Sequence, residues 1–441
     1  MKLTLGNFYV KDICFGKKTE FKNGILTVNK EEALALVLQD KNITVADLHI
    51  VKPGDKVRIV PVKEAIEPRV RIGGGPVFPG VTGDIIQAGN GVTHALKNMS
   101  VLVVGKHMGG FQDGLIDMSG EGAKYTYYSG LINLVLVGDT NEDFERHEQQ
   151  KKNHALRWAG MKLAEYIGSC TKDLDPDDID VYQLDPVTKR GGDITKLPSV
   201  VLVLQPQSQM EEPGYNDLNY GWDCNRMLPT FMHPNEILDG AMISGSFMPS
   251  SSKWSTYDFQ NFPMIRRLYN EHGSTLNFLG VIMSNLNVAL EQKERAALFV
   301  AQIASSLGAD CAVVAEEGYG NPDADFTACV VALEEAGIKT VGLTNECTGR
   351  DGASQPLVSM NEKADAIVSC GNVSSLIELA AMETVIGELE SLARDGLSGG
   401  WGNDEKLGPS VRPDGSIIME NNAMFCGDQV VGWSVKTMAE Y

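Results

Sequence analysis

Two polar segments in the C-terminal half most constrain this fold: Glu316-Glu-Gly-Tyr-Gly-Asn-Pro-Asp-Ala-Asp325 and Thr344-Asn-Glu-Cys-Thr-Gly-Arg-Asp-Gly-Ala-Ser-Gln355. Each follows an apolar run that reads as a buried strand, residues 311–315 and 340–343. Between them residues 326–336 have helical spacing, closed by Gly337. A strand–loop–helix–strand unit puts both loops at the carboxyl ends of parallel strands, where open α/β sheets bind their ligands. Their density in Asp, Glu, Asn, Gly and Arg exceeds what a tight turn needs.

The texture on either side sets the fold class. Residues 1–138 read as short alternating strands interrupted by glycine clusters, a β-rich N-terminal domain. Residues 141–168 read as a helix, and residues 200–204 as a continuous apolar strand. From residue 276 strands alternate with helical stripes: strand 276–283, helix 292–307, strand 311–315, helix 326–336, strand 338–343, strand 364–369 and helix 374–393. That pattern predicts a doubly wound, Rossmann-like α/β domain over 275–441, ending in a hairpin around Pro413-Asp-Gly415. The expected division is 1–138, then an α/β segment 139–245, a linker 246–274 and the 275–441 domain. The linker reading rests on Ile243-Ser-Gly-Ser-Phe-Met-Pro-Ser-Ser-Ser-Lys-Trp-Ser-Thr-Tyr257, whose six serines suit an exposed connection.

Charge excludes whole function classes. With 38 Lys+Arg against 58 Asp+Glu, the net charge is −20, which repels phosphate backbones and anionic lipid. The eight cysteines are scattered with no Cys-x-x-Cys pair, and no apolar run is long enough to span a bilayer. A reduced, cytoplasmic protein binding neither nucleic acid nor membrane is expected, without metal.

Further motifs carry a resemblance along nearly the whole chain. Lys2-Leu-Thr-Leu-Gly6, Phe78-Pro-Gly-Val81, Gly110-Phe-Gln-Asp-Gly-Leu-Ile-Asp-Met-Ser-Gly120, Asp239-Gly-Ala-Met-Ile-Ser-Gly245 and the two polar loops resemble the proprotein of glycine/sarcosine/betaine reductase component B, subunits alpha and beta. The D-proline reductase proprotein is related. The resemblance implies self-cleavage at a cysteine, conversion of that cysteine to a pyruvoyl carbonyl, and imine formation with an amino substrate. It also implies a partner subunit whose reactive cysteine or selenocysteine takes part in reductive C–N cleavage, hence an oligomeric assembly. This sequence departs at the cleavage site. Phe247 stands where the family's cysteine is expected, Ser251 replaces a second one, and no cysteine lies between Cys224 and Cys311. No cofactor is therefore expected. A pyruvoyl group could arise only by serine self-processing at Ser246 or within Ser250-Ser-Ser252, and an intact chain is the expectation.

Candidate site residues follow, each with its alternative. Phe247 and Trp254, in a neighbourhood that includes Tyr215 and Tyr257, could face an N-methylated cation, or be ordinary packing. Arg350 could fork onto a substrate carboxylate with Asp351 orienting it, or the two could form a buried salt bridge. Glu316, Glu317, Asn321, Asp323 and Asp325 could hold an ammonium group or a cation, with Asp323 or Asp325 alternatively capping the next helix. Cys347 is a candidate reactive thiol or a buried one, and His233 a candidate acid–base group. Three functions fit: a subunit of a reductase-like complex acting on a small amino acid or N-methylated amino acid, a non-catalytic substrate-binding or scaffold homologue, and an enzyme of altered non-reductive chemistry.

Overall fold

The computed structural model describes residues 1–105, 113–141, 149–211, 215–245, 247–390, 403–404, 408–427, 430–433 and 439–440. The chain is mixed α/β. In the N-terminal part, Lys2–Tyr9 pairs antiparallel with Asp178–Gln183 and parallel with Gly91–Lys97. A second sheet runs Gly114–Asp117, Val57–Ile66, Met99–Val104, Ile132–Thr140, Ile43–Val51. The helix Gln149–Gly168 lays Leu156, Ala159, Leu163, Ala164 and Ile167 on that sheet, against Ile66, Val101, Val103 and Leu134. The expected helical start at 141 is not met: Asn141 is not helical, and 142–148 lie outside the described residues.

The largest sheet is ordered Thr230–Met232, Asn277–Met283, Ser199–Gln205, Cys311–Glu316, Lys339–Glu346, Ile367–Asn372, Ala439–Glu440. The five inner strands are parallel, and the outer two antiparallel. In chain order those five run 2-1-3-4-5, so the winding reverses between Ser199–Gln205 and Cys311–Glu316. Such a reversal opens a crevice at the carboxyl ends of the two strands.

Both faces are covered, which is why these strands read as unbroken apolar runs. Val201, Val203, Ile282, Ala312 and Val314 pack on the helices Leu290–Ser306 and Pro322–Glu335 through Val300, Ala304, Phe326 and Val330. Alternate residues Val200, Leu202, Leu204, Val281 and Met283 face Ile237, Trp254, Phe259, Phe262 and Ile265. Each fully buried large side chain contributes about 1.5–3 kcal/mol by leaving water. Gly342 sits mid-strand because the Phe326 ring occupies the space a Cβ would need.

Three sequence expectations change. The helix expected over 374–393 is not met over 374–389, and of the described residues there Glu390 alone is helical; Leu376–Leu379 pairs antiparallel with Ile417–Glu420, and Thr384–Gly387 runs parallel to Val57–Ile66. The 376–379 stretch alternates exposed and buried, a strand period, and its partner lies across the turn at Pro413–Gly415, where Arg412 N–H donates to Ser416 O at 2.9 Å. The sheets also cross the expected boundaries. Ser199–Gln205 lies at the centre of the C-terminal sheet, and Thr384–Gly387 extends the N-terminal one. Finally, the serine-rich segment is no surface linker: Ser250, Ser251, Ser252, Trp254, Ser255 and Thr256 are each 0% exposed.

Candidate functional site

Glu316 closes its strand and Glu317 follows it, so their side chains leave on opposite faces of the sheet. Each meets a second carboxyl. Glu316 accepts from Thr344 Oγ1, and the Asp323 carboxyl acts on it from the helix side, raising it. Glu317 turns the other way, accepting from the backbone N–H of Gln207 at Oε2 and of Trp254 at Oε1, both at 2.8 Å, with the Asp217 carboxyl close enough to act on it. The doubled glutamate thus plants one carboxyl pair on each side of the crevice.

The environment decides where the protons sit. Burial raises all four carboxyls above their usual range. Asp323, pushed up to about 6, also accepts from Val358 N–H at 2.6 Å and Gly320 N–H at 2.8 Å. Among the described residues Glu316 accepts from the Thr344 hydroxyl alone, and Asp323 and Asp325 nearby raise it further, so Glu316 carries the shared proton. By the same logic Glu317, with two backbone donors and Lys253 nearby, is the anion of its pair. Asp217 is raised well above its usual value by burial and then by Glu317, and holds the proton.

Asp217 connects this chemistry to the serine-rich segment. Its Oδ1 accepts the backbone N–H of Gly245. Gly245 presses on the 215–217 backbone so closely that a Cβ would lie 2.5 Å from Tyr215 O, which requires glycine there. Ser244 N–H donates to Thr256 Oγ1 at 3.1 Å and Phe247 N–H to Tyr215 O at 3.0 Å. Ser246 lies outside the described residues. Ser255 and Asp258 form a capping box on Thr256–Asn261, Ser251 Oγ donates to Asn422 Oδ1 at 3.3 Å, and Ser252 Oγ donates to Pro249 O at 3.3 Å, whereas Ser250 Oγ is buried without a hydrogen-bond partner among the described residues.

Among the described residues, buried polar atoms without a hydrogen-bond partner collect along the same edge. They include Gln205 Oε1, Gln207 Nε2, Trp254 Nε1 and both amide atoms of Asn345. Gln205 lies directly across from Glu316. Native interiors rarely leave such groups unsatisfied, each costing about 1–3 kcal/mol. Their concentration at the crevice is what a polar ligand site requires.

The remaining sequence candidates separate. Asn321 Oδ1 accepts from Gln209 Nε2 at 2.7 Å and Lys293 Nζ at 2.9 Å. Asp325, raised to about 6 by burial against the pull of Lys293, ion-pairs with that buried lysine and accepts from Asn287 N–H. The helix begins at Pro322, so Asp323 and Asp325 stand inside its first turn instead of capping a start at 326. Trp254 is fully buried, its ring edge-on to Phe259 and Phe262, so its ring faces are taken up by core packing and its Nε1 is what it offers the crevice. Phe247 is half-buried with Tyr215 against it, ring centroids 6.1 Å apart. Arg350 pairs with Glu420 at 2.8 Å in place of Asp351, whose Oδ1 accepts from Ala353 N–H in an exposed turn. Cys347 is exposed, not buried, with its sulfur 3.7 Å from Ser374 Oγ. His233 caps Pro234–Leu238 through Nδ1, and burial holds it down at about 4. It follows a strand antiparallel to Asn277–Met283, which carries it away from the carboxyl edge.

Sequence reasoning did not single out Asp217, Gln205, Gln207 or Asn345. The available signal was their place: Gln205 closes the first parallel strand with Gln207 just beyond it, and Asn345 directly follows Thr344 in the second polar loop.

Comparison with known proteins gives a full-length match. Residues 1–439 match the model of the family described as glycine/sarcosine/betaine reductase component B subunits. The chain is 74% identical over 442 residues to "Betaine reductase complex component B subunit alpha" of Peptoclostridium acidaminophilum, covering all of both chains. It is 39% identical over 444 residues to "Glycine reductase complex component B subunits alpha and beta" of the same organism, again covering both chains in full. It is also 41% identical over 393 residues to "Sarcosine reductase complex component B subunit alpha" from that organism, covering 88% of this chain and 90% of the other. No solved structure matches.

Proposed function

Since the chain belongs to the glycine/sarcosine/betaine reductase component B family, we propose that it is the substrate-handling subunit of a betaine-type reductase complex and works as an intact polypeptide without a cysteine-derived carbonyl. The observation that carries this reading is the full-length 74% identity to a betaine reductase component B subunit alpha. The missing cysteine fits the same substrate. An imine serves to make an amine nitrogen electron-poor, so that it leaves with its bonding pair. A quaternary ammonium already carries that charge and has no N–H with which to form an imine. A thiolate or selenolate on a partner subunit attacks the methylene carbon, a C–S or C–Se bond forms, the C–N bond breaks, and its electron pair departs on a neutral tertiary amine. This chain's part is to hold the zwitterion and exclude water.

The Phe247–Tyr215 pair beside Gly245 supports the reading as an apolar, aromatic surface in place of a nucleophile. The covered faces and the 2-1-3-4-5 order support a doubly wound sheet, with the crevice as the place of chemistry.

The test is reconstitution with partner subunits and a dithiol reductant, offering betaine, sarcosine and glycine separately. Trimethylamine release from betaine, at least tenfold faster than amine release from the other two, is expected. Turnover of glycine alone would overturn the assignment.

A further inference from the structure

Beside the crevice, the carboxyl ends of Ser199–Gln205 and Asn277–Met283 enclose a second polar hollow of about 200 Å³. The two strands are neighbours in register, and Ser284 N–H donates to Leu204 O at 2.8 Å, so the loops that follow them adjoin. Ser208 clasps them: its hydroxyl donates to Leu286 O at 2.9 Å and accepts from Leu286 N–H at 2.6 Å. Asn225 Nδ2 donates to Ser208 O at 3.2 Å, and Gln209 Nε2 to Asn287 O at 2.9 Å. The walls are thus fixed before any ligand arrives.

The lining has a particular charge pattern. Among the described residues its ionisable side chains are Glu211 and Arg295, both exposed. Lys293, on the same helix as Arg295, is excluded as a ligand cation because its ammonium is buried on Asp325, Asn321 and Asn287 O. Asn285 lines the hollow at 6% exposure. Its Nδ2 donates to Asn287 Oδ1 at 3.0 Å, which fixes the amide and leaves Oδ1 buried without a partner among the described residues. A buried acceptor in a hollow also lined by a carboxylate suits a cationic nitrogen, with N–H groups or polarised N-methyls toward it. The guanidinium suits a carboxylate.

The volume limits the ligand. Drug-sized molecules need about 300–1,000 Å³, whereas about 200 Å³ corresponds to six or seven water volumes at ~30 Å³ each. A small amino acid fits that space; a peptide or nucleotide does not.

We propose that this hollow binds a small zwitterion, its carboxylate on Arg295 and its cationic nitrogen toward Glu211 and Asn285 Oδ1. It is an entry site flanking the crevice, joined to it through the Gln209–Asn321 hydrogen bond at 2.7 Å. The identity of the zwitterion rests on the proposed function; the existence of the site does not.

Calorimetric titration of the intact chain tests it, with betaine, sarcosine and glycine as probes and acetate and tetramethylammonium as single-charge controls. At least one zwitterion should saturate the protein, and each control should bind at least tenfold more weakly. Arg295→Gln should weaken that zwitterion at least tenfold with unchanged melting, Arg295→Lys should recover part of it, and Glu211→Gln should weaken it severalfold. Undiminished binding in both Arg295→Gln and Glu211→Gln overturns the site while leaving the complex's turnover untouched. No binding of any zwitterion at millimolar concentration also overturns it, and turnover by the reconstituted complex then decides the proposed function separately.

Discussion

The two carboxyls facing Gly245 make an asymmetric prediction. Glu317 is assigned as the anion because each of its oxygens takes a backbone N–H, from Gln207 and Trp254, at 2.8 Å. An amide has a single acceptor oxygen, so Glu317→Gln turns an NH2 toward one of those buried donors. Losing a hydrogen bond to a charged acceptor costs about 1.5–3 kcal/mol, and stranding a buried N–H costs about 1–3. Partial relaxation makes the expected loss about 2–5 kcal/mol. Asp217→Asn differs, since Asp217 is assigned the proton: Oδ1 can still accept from Gly245 N–H, and the new NH2 donates toward Glu317 where the acid O–H did. Its expected cost is below about 1 kcal/mol. Urea unfolding at pH 7, followed by tryptophan fluorescence with Trp254 bonded to Glu317 as reporter, measures both. If Asp217→Asn is the costlier substitution, or both are neutral, the proton assignment is wrong.

Lys293→Met should cost about 3–5 kcal/mol by leaving the buried Asp325 carboxylate unpaired, and adding Asp325→Asn should recover much of it; equal melting of single and double variants would refute the pairing. Maleimide labelling of the native chain should modify the exposed Cys14 and Cys347 quickly and the buried Cys224, Cys329, Cys370 and Cys426 only on unfolding. Uniform labelling rates would contradict that burial pattern. Asp258 is pushed up to about 7 by burial, so the folded chain keeps a proton that the unfolded chain releases near pH 4. Its stabilisation is complete below about pH 4 and lost as pH rises through about 7, at about 1.4 kcal/mol per pH unit. Relative to wild type, Asp258→Asn should therefore gain stability with pH across that window, and a pH-independent difference would refute the shift.

Much of the C-terminal sheet was legible in sequence because its signals are local. Strands buried on both faces give apolar runs, and helix Leu290–Ser306 shows its stripe in Val300 and Ile303, with Leu307 just after it. What local pattern cannot carry is partnership across distance. Nothing in residues 199–205 announces that they lie between 277–283 and 311–316, and nothing in 384–387 announces a partner at 57–60. The serine-rich segment misled for a chemical reason. Hydroxyls suggest solvent until their partners are known, and here they meet Asn422, Asp258 and Pro249 O in the interior. The doubled glutamate was readable as a site; that its members point to opposite faces, each onto another carboxyl, follows only once the strand's end is fixed.

The central claim is that this family member handles its substrate as one uncleaved chain. Intact mass spectrometry of the purified protein, before and after phenylhydrazine, tests it most directly. A single species at the full 47.8 kDa, without a carbonyl adduct, is the predicted result. Two fragments parted between residues 245 and 252, the C-terminal one taking the reagent, would contradict it and return imine chemistry to this site.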